Sequence, residues 1–126
     1  MIVNDLLLYI GSGIIFIWGI AHIIPVRLIV VGFGLITEDN KRILVETWVT
    51  EGLTLCFIGC LVFFSTILGG SQNPVSIIVY RTSAIMLCVL AFATSMTGAR
   101  TPHVAMKVCV IVKLVVAALF FLGGAL

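Results

Sequence analysis

The chain has 126 residues, of which 62% are hydrophobic and only 10% charged, whereas a soluble domain has about 45–50% and about 25%. A bilayer core takes roughly 20 apolar residues per spanning helix, so this length holds about four spans and excludes a nucleotide-binding fold or a large catalytic domain. The net charge of +2 comes from basic residues spread along the chain, which gives no basic patch for nucleic acid.

The opening residues Met1 to Leu8 lack the basic region of a signal peptide and carry Asp5, so the first apolar run reads as a mature span over about residues 6–24. Its last turns hold Trp18 and His22. One straight helix continuing to Ile36 would be about 45 Å long, well beyond the hydrocarbon thickness. Pro25 removes a backbone donor and clashes with the preceding turn, which predicts a break there. An interfacial or re-entrant segment over about residues 26–43 should follow, favoured by Gly32 and Gly34. Thr37 with Glu38 and Asp39 reads as a capped helix start.

The second span covers about residues 44–68 and stops at Gly69-Gly70. Asn73-Pro74 and Thr101-Pro102 each pair a capping side chain with a proline suited to the first helical position. They are expected to open the third and fourth spans, about residues 75–98 and 102–123. The predicted fold is therefore all-α, an integral membrane four-helix bundle in one domain. Arg27, Lys41 and Arg42 flank the first connection, Arg100 and Lys107 the third, and Arg81 lies towards the other side. The positive-inside rule then places both termini outside the cytoplasm, in a bacterial or archaeal cytoplasmic membrane.

Depth makes the charges within the spans informative. Lys113 lies about 16 Å into the fourth helix, where an unpaired charge costs about 2.5–3.5 kcal/mol on insertion scales. It should face the bundle interior and have a partner. Glu51, about 10 Å deep on the second helix, suits that role, because a lysine side chain leans back toward its helix N-terminus. His22 reaches a similar level from the first helix, Trp18 lies one turn away on its face, and Thr47 lies one turn before Glu51. His22, Glu51, Lys113, Trp18 and Thr47 are thus expected to form a polar pocket in the cytoplasmic half. The structural alternative is a Glu–Lys pair that only fixes helix register. Asp5 and Arg81 are expected at the outer surface as an interfacial pair or as separately solvated charges.

Cys56, Cys60, Cys88 and Cys109 lie inside apolar runs with no C-x-x-C spacing, so they read as free thiols that pack helices. Gly52, Cys56 and Cys60 recur every four residues, a small-x-x-x-small spacing that lets helix backbones approach. His22 and His103 as axial haem ligands would need a common depth, and His103 falls in the first turn of the fourth helix. No metal, haem or other cofactor is expected, since no ligand cluster at one depth is legible.

Size, span count and a polar cluster in the first two helices resemble the small four-helix membrane proteins of the DoxX-like group. The resemblance covers the hydropathy profile of the whole chain and implies the fold without site residues. The acidic first-span residue of small multidrug exporters is absent, as is the glycine- and arginine-rich first helix of fluoride channels.

Three functions remain open: a bundle binding a small hydrophobic or lipid-like ligand, or acting as an accessory subunit; a membrane-embedded enzyme using Glu51 and His22 as acid and base; and a proton-coupled transporter, which with so few helices would have to dimerise. The expected partners are membrane lipid, a small hydrophobic ligand, and a second copy or a larger membrane complex.

Overall fold

A computed structural model describes residues 2–125 and contains five α-helices. They are α1 (Ile2–Ile23), α2 (Val26–Gly32), α3 (Glu38–Gly69), α4 (Pro74–Met96) and α5 (Val104–Ala125), with a 3-10 turn at Gly98–Arg100 between the last two. α1, α3, α4 and α5 are each long and apolar enough to cross a membrane. The chain is an all-α, multi-pass integral membrane protein. Exposed Phe57, Phe64, Ile85, Phe92, Ile111 and Phe121 give it the apolar exterior that lipid requires.

The four long helices form a ring in which α1 packs on α3, α4 on α5 and α5 on α1, while the seam between α3 and α4 is the loosest. Leu8, Ile15, Leu55, Val62, Leu87, Val116 and Phe120 fill the centre with no exposed surface. The α1–α3 seam is closed by glycine. A Cβ on Gly19 would lie 2.6 Å from the Gly52 carbonyl oxygen, and one on Gly52 would lie 2.6 Å from the Gly19 oxygen. Without Cβ atoms the two backbones touch, as the small-residue spacing of α3 leads one to expect. That contact sets His22, one turn after Gly19, against Glu51, the neighbour of Gly52.

Pro25 breaks the chain as anticipated: α1 ends at Ile23 and the seven-residue α2 follows, with none of its residues buried and its packing directed at α3. α3 begins at Glu38 with Thr37 as its N-cap, the capped start the sequence indicates, so residues 38–43 are helical turns ahead of the second span. Thr37 accepts from the Asn40 amide at 3.2 Å, and Lys41 pairs with Glu38 at 3.0 Å. α1 likewise starts at Ile2, ahead of the predicted residue 6.

Asn73 caps α4 as expected, its side chain accepting from the Val75 amide at 2.9 Å with Pro74 in the first turn. Replacing Asn73 by Ala should cost about 1 kcal/mol, read as a lowered melting temperature in detergent, and Asn73→Ser should recover most of it. Thr101-Pro102 does not open the fourth span. Thr101 Oγ1 donates back to the Gly98 carbonyl at 2.6 Å, closing the 3-10 turn, and α5 starts only at Val104.

Asp5 and Arg81 form no ion pair. Among the described residues the charge contacts are Lys41–Glu38, Lys113–Glu51 and His22–Glu51.

Candidate functional site

The polar residues collect at the end of the bundle that carries the α1–α3 and α4–α5 connections. Lys113, near the middle of α5, has no exposed surface and crosses the ring to donate to Glu51 Oε1 on α3 and, at 3.0 Å, to Thr94 Oγ1 on α4. A cationic head in a low-dielectric interior needs such partners. Glu51 keeps 30% of its side-chain surface, because it stands at the base of the loose α3–α4 seam. Its second oxygen, Oε2, lies 3.9 Å from His22 Nε2.

His22 is buried at the end of α1 and held on three sides. Its Nδ1 lies 3.0 Å from the Trp18 carbonyl oxygen. A carbonyl only accepts, so Nδ1 carries a hydrogen, and Nε2 is the nitrogen left to face Glu51 and Cys109. The Trp18 ring meets the imidazole edge-on at a centroid distance of 5.9 Å, and Trp48 lies tilted against it at 5.4 Å. Cys109 Sγ lies 3.6 Å from Nε2 and accepts from Trp18 Nε1 at 3.4 Å.

Of the five residues expected in the pocket, His22, Glu51 and Lys113 meet directly, and Trp18 reaches the same point as wall and hydrogen-bond donor. Thr47 stands apart from that contact. It is exposed, donates to the Ile43 carbonyl at 2.8 Å, and lines the groove outside the pair rather than its interior. Sequence reasoning missed Thr94, Cys109 and Trp48. Cys109 lies four residues before Lys113 on the same helix face, and Trp48 three before Glu51; both spacings are readable. Thr94 carries no signal that separates it from its neighbours on α4.

The absence of a ligand cluster at one depth, expected from the sequence, does not hold: one donor atom each from His22, Glu51 and Cys109 lies within 4.8 Å of the others. In the sequence Cys109 reads as a packing residue because apolar positions surround it, and depth along α5 alone does not reveal which helix it faces.

Two spaces open beside this core. Between α3 and α4 runs a groove of about 510 Å³ whose walls include Glu46, Thr47, Thr50, Glu51, Thr54, Ala93, Thr94 and Thr97. A second, of about 270 Å³, lies under α2 between Leu28, Phe33, Trp48, His103 and Met106 and is almost wholly apolar. The groove has a distinct chemistry. Thr47, Thr54, Thr94 and Thr97 each donate their single hydroxyl hydrogen to the i−4 carbonyl, at 2.8, 2.8, 2.9 and 2.7 Å respectively. What they turn to the groove is lone pairs, beside the carboxylates of Glu46 and Glu51.

No protein-family model, curated protein or solved structure matches the chain. The DoxX-like resemblance therefore rests on hydropathy and span count alone, and the chemistry has to be read from the side chains themselves.

Proposed function

We propose that the protein binds a small amphiphile or lipid-like molecule in the α3–α4 groove, with a hydrogen-bond-donating head at Glu51 and an apolar body toward the lipid. The observation that carries this reading is the acceptor-rich polarity of the groove: four of its five threonines, all but Thr50, already spend their hydroxyl hydrogens on their own helices, beside the carboxylates of Glu46 and Glu51. An alcohol, phenol or amine head answers that wall. A volume of about 510 Å³ lies within the common range of about 300–1,000 Å³ for small-molecule pockets, and the loose seam offers access from within the bilayer.

By the positive-inside rule the site belongs to the cytoplasmic half of the membrane, with both termini on the far side. Binding is preferred to acid–base catalysis because His22 spends Nδ1 on the Trp18 carbonyl and turns Nε2 into the packed core, away from the groove. A transporter would need a polar path to the other face, and Leu55, Val62, Val116 and Phe120 fill the core between Lys113 and the buried Thr66–Tyr80 hydrogen bond.

Ala93 is exposed on the groove wall, so Ala93→Phe fills the groove without disturbing the core. Native mass spectrometry of protein purified in mild detergent should show a bound amphiphile on the unmodified chain, and its occupancy should fall about tenfold or more in Ala93→Phe, a loss of about 1.4 kcal/mol in binding. The same adduct at the same occupancy on both proteins would place binding elsewhere.

A further inference from the structure

We infer that His22, Cys109 and Glu51 form a binding site for a soft monovalent cation, of which the cuprous ion is the biological case. This goes beyond the amphiphile reading and shares only Glu51 with it: the groove lies between α3 and α4, while the cation site lies between α1, α3 and α5.

The geometry around His22 Nε2 decides the point. In a catalytic triad the carboxylate holds one imidazole nitrogen and the nucleophile faces the other. Here Nδ1 is occupied by the Trp18 carbonyl, and the thiol and the carboxylate both converge on Nε2, at 3.6 and 3.9 Å. With Nδ1 on the carbonyl, Nε2 of the neutral ring is the nitrogen free to ligate, and it, the thiol sulfur and a carboxylate oxygen lie within 4.8 Å of one another. A small cation is what three converging donors of this kind hold. The Trp18 carbonyl supplies the outer hydrogen bond that fixes the tautomer and orientation of a ligating histidine. Bonds of about 2.0 Å to nitrogen and about 2.3 Å to sulfur at a tetrahedral angle separate the two donors by about 3.5 Å, close to the 3.6 Å between Nε2 and Sγ.

Charge selects the ion. A Cys109 thiolate and the Glu51 carboxylate carry two negative charges against the one positive charge of Lys113, which leaves one for the cation to balance. A divalent ion would leave a net positive charge buried within the bundle, and among monovalent ions thiolate and imidazole suit Cu(I). On binding, the Cys109 S–H bond breaks, its proton leaves to solvent and the Cu–S bond forms. Copper remains Cu(I) and no electron moves.

The test is anaerobic titration of the full chain in detergent with Cu(I) against bicinchoninate, a colorimetric Cu(I) chelator, together with X-ray absorption of the loaded protein. The expected result is one Cu(I) per chain, with one sulfur and at least one imidazole in its coordination shell. Cys109→Ser and His22→Ala should each weaken binding by about 100-fold or more, while Cys88→Ser and Ala93→Phe leave it unchanged, so loss of the amphiphile and loss of copper are separable. Undiminished affinity in Cys109→Ser overturns the inference. So does a two-sulfur shell, which would assign the ion to Cys56 and Cys60, and so does displacement of Cu(I) by equimolar Zn(II). Should a variant fail to fold, the absorption spectrum of the unmodified chain decides.

Discussion

Glu51→Gln alone is expected to destabilise the protein by about 3–5 kcal/mol, the usual loss when one member of a buried ion pair is removed. The physical reason is the position of Lys113. Its ammonium has no exposed surface, and without the carboxylate it is left with no counter-charge, only the neutral oxygens of Thr94 and of the introduced amide. Lys113→Met should cost less, because Glu51 retains 30% of its side-chain surface and faces the groove. The double change Glu51→Gln with Lys113→Met should recover most of the stability, since replacing both charges of a buried pair is often neutral. Thermal unfolding of the four proteins in one detergent measures the cycle. Additive single losses with no rescue would mean that the two charges are not coupled.

The second large effect is expected at the glycine crossing of α1 and α3. In Gly52→Ala the new methyl would stand 2.6 Å from both the Gly19 carbonyl oxygen and Ile23 Cγ1. A backbone oxygen does not yield as a flexible side chain does, so the helices must separate, at about 1–3 kcal/mol. The separation also draws His22 away from Glu51. Gly13 provides the control: a Cβ there meets nothing within 4 Å, and Gly13→Ala should leave stability unchanged or raise it by about 0.5–1 kcal/mol through helix propensity. Equal melting temperatures for Gly52→Ala and the unmodified chain would contradict the close contact.

Much of the fold was legible because hydropathy reports span number, and the chemistry of Pro25, Thr37, Gly70, Asn73 and Pro74 reports where helices stop and start. Depth along each helix brought Glu51 and Lys113 to one level, and the backward lean of lysine indicated that they meet. Helix rotation was legible only where a charge fixed it. Hydropathy is nearly the same all around these helices, so Cys109 and Trp48 are marked only by sharing the faces of Lys113 and Glu51, and nothing marks Thr94. Thr101-Pro102 misled for a local reason: a threonine hydroxyl serves a preceding carbonyl as readily as a following amide, and the Gly98 carbonyl was the nearer partner.

The central claim is that the Glu51–Lys113 pair forms the base of a binding site rather than a device that only fixes helix register. Native mass spectrometry of the Glu51→Gln, Lys113→Met double variant tests it most directly, because that protein should be folded yet lack the carboxylate that receives the ligand head. The expected result is a melting temperature near that of the unmodified chain together with loss of the bound amphiphile. A stable double variant that still carries the amphiphile at full occupancy would contradict the claim and leave the pair a structural role alone.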